Sequence, residues 1–129
     1  MQSLSRLVTA LAIGVVLVVV LNVISVARQS VAPPRAYLVV QADVTNAERY
    51  AEYAKLSPDI VSKYGGRFLA RAGRTVTLEG PPARNRVVVI EFPSFDKAQE
   101  FYNSTEYVAA RKAREGAATA QFIAVEGVQ

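Results

Sequence analysis

The stretch RVVVIEFPSF at residues 86–95 constrains this chain more than any other part of it. Its run of β-branched residues reads as a central strand, because branched side chains pack well on a pleated surface and lose rotamer freedom in a helix. Pro93 ends the strand, and Ser94 with Asp96 supplies an N-cap and a first-turn acid for a helix. A strand that passes at once into a helix implies a sheet with helices packed on it. A single carboxylate, Glu91, interrupts the aliphatic run.

The 129 residues divide unevenly. Residues 7–26, LVTALAIGVVLVVVLNVISV, are twenty positions without a charge, flanked by Arg6 and Arg28. That length as a helix spans a hydrocarbon core of roughly 30 Å. A cleavable signal is the competing reading, since Ser25-Val26-Ala27 places small residues at a suitable spacing, although typical signal cores run only about 7 to 15 residues. The chain is therefore divided into an N-terminal anchor or signal segment (1–28), a stiff polar spacer containing Pro33-Pro34 (29–35) and one domain (36–129). The expected location is the membrane, through a single-pass anchor, with export after cleavage as the alternative. Arg6 on one side and Arg28 with Arg35 on the other leave the orientation open.

The net charge of +4 does not mark a nucleic-acid binder. Three of the fifteen basic residues precede residue 36, so the domain carries twelve against eleven acidic ones. With no cysteine there is no disulfide, thiol nucleophile or thiolate metal site, and with no histidine there is no serine–histidine relay or imidazole ligand. No cofactor or metal is expected.

Periodicity assigns the domain's elements. Residues 36–43 alternate as a strand, and Thr45 with Glu48 forms a capping-box pattern ahead of a helix. Tyr50, Tyr53, Ala54, Ser57, Ile60, Val61 and Tyr64 recur at helical spacing as its buried face. Pro58 predicts a kink, or a stop at Ser57, and Gly65-Gly66 ends the element. Residues 66–71 form a second strand, with a short extension at 75–79 and a turn at Gly80-Pro81-Pro82. After the third strand, Phe95, Ala98 and Tyr102 face inward from a helix that restarts at Ser104 and Glu106, runs through Arg114 and closes at Gly116; residues 120–126 are the last strand. The order βαββαβ is the ferredoxin-like split unit, an α+β fold with an antiparallel sheet and both helices on one face.

Alternation sorts the strand residues. Leu38, Val40, Phe68, Ala70, Val88, Ile90 and Phe92 point to one uniformly apolar face, which suits the helices. Tyr37, Val39, Gln41, Arg67, Leu69, Arg71, Val87, Val89 and Glu91 point to the other. Aliphatics mixed with a few polar groups suit burial against a second sheet around a small cavity, so a homodimer with facing sheets is expected.

The segments from Tyr37 to Gly80, Arg86 to Ala118 and Phe122 to Gly127 resemble the DUF1330 family over essentially the whole domain. The markers are Tyr64-Gly65-Gly66-Arg67, Leu78-Glu79-Gly80, Glu91-Phe92-Pro93-Ser94, and Tyr107 with Arg111. Singly they are weak; together and in order they are specific. The resemblance implies a dimeric α+β barrel of ferredoxin-like type and no established activity. The apolar N-terminal segment departs from the family pattern.

Three classes of function follow. The first is a barrel that binds a small organic molecule, with Tyr37, Gln41, Arg67, Arg71 and Arg111 as candidate ligand-binding residues; Arg111 and Arg114 are spaced to hold a carboxylate in a fork. The second is a cofactor-independent isomerase or lyase acting on a small organic acid, with Glu91 as acid/base after burial has raised its pKa. Against the second stands a structural reading in which Glu91 pairs with Arg67 or Arg71. The third is a membrane-tethered dimerisation module without a pocket.

Overall fold

The structure, a computed structural model, describes Arg6 and residues 31–129. The apolar segment read as an anchor or signal lies outside the described residues. Among the described residues, no helix is long and apolar enough to cross a membrane.

The strands are β1 (Ala36–Val44), β2 (Arg67–Arg71), β3 (Arg86–Phe92) and β4 (Ala118–Glu126); the helices are α1 (Ala47–Lys63), α2 (Phe95–Asn103) and α3 (Thr105–Lys112). The four strands form one sheet in the order β2-β3-β1-β4, with every neighbouring pair antiparallel. This is the expected α+β ferredoxin-like arrangement, and the β-branched run of β3 lies inside the sheet. β1, also internal, pairs Leu38 with Ile90 on one side and with Ala124 on the other.

Local chemistry accounts for most boundaries. The N-cap of α1 is Asn46, one residue beyond the expected Thr45, and its side chain accepts from the Arg49 N–H. Thr45 is occupied elsewhere, its hydroxyl donating to the Ala117 carbonyl. α1 continues through Pro58 to Lys63 without the predicted stop. It ends in a Schellman motif, in which Gly65 N–H donates to Ser62 O and Gly66 N–H to Val61 O. Gly65 takes φ +74°, the left-handed conformation that glycine adopts at no steric cost. Ser94 and Ser104 cap α2 and α3, accepting from Lys97 N–H and Tyr107 N–H. α3 stops at Lys112, short of the expected Arg114, and turns lead through Gly116 into β4.

The core lies between the sheet and the three helices. Leu38, Val40, Val88, Ile90 and Phe92 meet Tyr53, Val61, Phe101 and Tyr107 there. On α2 the fully buried aromatic is Phe101, while Phe95 and Tyr102 pack at the edge of the core, a rotation of the expected stripe. Phe101 packs between Phe92 at 5.1 Å and Tyr107 at 4.3 Å between ring centroids, its ring tilted by 33° and 38° to theirs.

Two departures alter which side chains share a face. Residues 72–85 form a loop, so the short strand expected at 75–79 is absent. β2 is bulged: Arg67 and Phe68 oppose Glu91 and Ile90, but Ala70 opposes Val89 and Arg71 opposes Val88. An extra residue in one strand reverses the alternation beyond it. Ala70 therefore belongs to the open face and Arg71 to the helix face, the opposite of the regular reading.

Candidate functional site

The open face of the sheet is built in rows. At one end Arg67, Glu91, Tyr37 and Val125 are neighbours across the four strands; the middle row is Ala70, Val89, Val39 and Ile123; beyond it Val87, Gln41 and Gln121 adjoin. Ile123, Val125 and Leu69 are each about half exposed, at 45%, 48% and 47%. Loop residues Leu78, Pro81 and Pro82 complete a concavity of about 570 Å³ with Gln41 and Gln121.

Glu91 is 6% exposed, and one of its oxygens accepts from two cations: Arg67 Nε at 2.8 Å and Arg35 Nη1 at 3.0 Å. The hydrogen bond from Arg67 leads the effects that hold the Glu91 carboxyl below its ordinary value, outweighing the opposite push of desolvation. The sequence expectation of a raised pKa is corrected here, because burial comes with compensating charge. A carboxylate held ionised by two guanidinium groups is a weakened base. The ion pair with Arg67 is the one anticipated; the pair with Arg71 does not form, since the bulge turns Arg71 to the opposite face. Arg35, read as the last spacer residue, takes part unexpectedly, and its carbonyl accepts from Gly127 N–H. That closure explains the glycine: a Cβ at 127 would lie 2.8 Å from the same carbonyl.

Of the candidate ligand residues, Tyr37, Gln41 and Arg67 thus share the open face with Glu91, and Arg71 and Arg111 do not. Arg71 donates to the Ala54 carbonyl of α1 and lies 4.7 Å from the Phe68 ring centroid. Arg111 lies over the Tyr102 ring at 4.4 Å, a cation–π contact rather than a fork with Arg114. Arg114 lies over Tyr53 and Phe122.

A partly open cavity of about 30 Å³ occupies the helix side of the sheet, among Tyr50, Tyr53, Phe68, Arg71, Arg86 and Tyr107. Tyr53 Oη and Tyr107 Oη are 2.7 Å apart. Burial raises both phenol pKa values, so both stay protonated through the neutral range. The sequence reading treated these tyrosines as core and did not single out Arg86. Strand parity carried the missing signal, since Arg86 is two residues before Val88 and must share its face. Among the described residues, no group of three or more carboxylates is placed to hold a metal ion.

The family model described as Domain of unknown function (DUF1330) matches residues 35–128. No curated protein matches the chain. Among solved structures, the chain is similar to a protein of unknown function from Rhodopseudomonas palustris, with 20% identity and a TM-score of 0.61, covering 84% of this chain and 93% of that one. A hypothetical protein from Arabidopsis thaliana is similar at 14% identity and TM-score 0.55, covering 80% and 96%. A protein of unknown function from Bacteroides fragilis, described as dimeric and ferredoxin-like, is similar at 13% identity and TM-score 0.50, covering 72% and 96%. At these identities the likeness establishes the fold.

Proposed function

Since the chain belongs to the DUF1330 family, matched over its whole α+β domain, we propose that it works as a homodimeric barrel that binds a small organic molecule and is held at the membrane by its N-terminal segment. The observation that carries the reading is the open face itself, where Val39, Val89, Ile123 and Val125 lie exposed or half-buried on a sheet whose other face carries the helices and the core. An apolar patch with a polar margin is what an interface requires. A second copy is the fitting occupant because a two-fold interface matches a patch with itself. The described dimeric state of the Bacteroides neighbour agrees with this choice.

In this reading, the Arg35–Glu91–Arg67 cluster lies at one end of the interface and Gln41 with Gln121 at the other. The open concavity beside the two glutamines, bordered by loop residues between Val76 and Ala83, is the space for the small molecule, held by their amides. The tether rests on the twenty uncharged residues at 7–26. Glu91 serves as an ionic hub in this arrangement, and proton transfer is assigned to no residue.

The chain has no native cysteine, so single-cysteine variants report the interface cleanly. Full-length chain in mild detergent carrying Val39→Cys, at the centre of the sheet, is expected to form a covalent dimer on mild oxidation. Lys97→Cys, on α2, serves as the control from the far side. Equal cross-linking of both variants, or of neither, would show that the sheets do not face one another.

A further inference from the structure

The cavity on the helix side has more hydrogen-bond donors than the protein satisfies. In the Tyr53–Tyr107 contact one hydroxyl donates and the other accepts, which leaves the second phenolic hydrogen without an acceptor among the described residues. Arg86 Nε and Arg114 Nε are buried and have no hydrogen-bond partner among the described residues. Two of these donors, the spare phenolic hydroxyl and Arg86, belong to side chains that line one small space, which is unusual because most buried polar atoms are paired.

Charge points the same way. Arg71 and Arg86 line the cavity, and Arg114 sits 5.2 Å from the centre of the Tyr53 ring. Among the described residues, no carboxylate forms a salt bridge with any of the three. Tyr50 lies under Arg86 at 5.2 Å, so that cation is held in place by an aromatic face rather than by an anion. The space of about 30 Å³ exceeds the roughly 10–15 Å³ needed for one water and suits a head group of a few heavy atoms. Arg71, exposed and hydrogen-bonded to the Ala54 carbonyl, closes one side.

We infer that this cavity is a binding site for a small monocarboxylate. The carboxylate oxygens accept from Arg86 and from the free tyrosine hydroxyl, Arg114 contributes charge from behind the phenols, and the ligand's apolar body leaves past Arg71 between aromatic rings. The site is separate from the open face and does not depend on dimerisation.

The test uses full-length chain in detergent with acetate and benzoate as probes, benzamide as the uncharged isostere of benzoate, and phosphate and chloride at matched ionic strength. Both carboxylates are expected to raise the thermal midpoint with the logarithm of their concentration, while benzamide, phosphate and chloride leave it unchanged. In nitrogen-15 spectra the Arg86 Nε–H resonance moves on adding benzoate, and Arg86→Gln weakens the response at least tenfold. Equal shifts with benzoate and benzamide overturn the proposal, as does an equal shift with phosphate. Movement of the Arg35 and Arg67 Nε–H resonances in place of Arg86 also overturns it, because the anion would then sit on the open face. The isostere comparison and the resonances are read on the unaltered chain, so they decide the matter even if the Arg86 variant fails to fold.

Discussion

Removing either member of the Tyr53–Tyr107 hydroxyl pair strands its partner inside the core, and the two variants should differ in cost. Tyr53→Phe orphans the Tyr107 hydroxyl, on a residue 0% exposed, whereas Tyr107→Phe orphans that of Tyr53, which is 7% exposed. An orphaned buried hydroxyl costs about 1–3 kcal/mol, and the adjacent cavity has room for a water that offsets part of it. We expect about 2 kcal/mol for Tyr53→Phe and about 1 kcal/mol for Tyr107→Phe. For a domain of this size, that corresponds to drops of about 8–16 °C and about 4–8 °C in melting temperature. The double variant removes donor and acceptor together while keeping both rings, so its cost should fall below the sum of the singles by about 1 kcal/mol or more. Urea titrations of full-length chain in detergent, followed by circular dichroism, supply the four corners of the cycle. Costs that add within about 0.5 kcal/mol would show that the two hydroxyls do not depend on one another, since independent sites behave that way and hydrogen-bonded pairs do not.

Three further outcomes follow. Gly66→Ala places a Cβ 2.6 Å from Phe92 and 2.8 Å from Val61, so it should destabilise by about 1–3 kcal/mol through overpacking, measured by thermal melting. Asn46→Ala should cost about 1 kcal/mol in urea titration and Glu48→Ala only a few tenths, whereas a Thr45–Glu48 capping box would make the Glu48 change the more costly of the two. Because the folded-state pKa of Glu91 lies below its ordinary 4.5, its pairs contribute fully above that pH, and the contribution is lost as pH falls through the depressed value. Glu91→Gln should therefore flatten the acid limb of stability against pH, as followed by melts from neutral to acid pH; an unchanged limb would show that the cluster contributes nothing.

Much of the fold was legible because its signals are local and periodic. The β-branched run before Pro93, the two serine caps and the helical spacing of Tyr50, Tyr53, Ser57 and Val61 each state their structure within a few residues. The candidate site was legible only in part. Tyr37, Gln41, Arg67 and Glu91 share a face because strict alternation holds through β1, β3 and the start of β2. Arg71 falls on the other face than regular alternation gives it, because the bulge adds a residue between Phe68 and Ala70, and which of three successive apolar residues is the extra one is set by pairing with β3. Arg111 has its neighbours chosen by helix packing, which residue spacing along one helix does not encode.

The order of elements and the core-facing residues of β1 and β3 can be read along the chain because local periodicity specifies them, and the family from motifs that recur in order along it. The ionisation of Glu91 and the tyrosine–arginine cavity arise from folding. Burial alone would have raised that carboxyl, but the fold brings Arg35 and Arg67, 56 and 24 residues away in sequence, onto one of its oxygens. The Tyr53 and Tyr107 hydroxyls, 54 residues apart in sequence, meet for the same reason: hydrogen bonds and charge pairs depend on distance in space, and closing the sheet under its helices sets that distance.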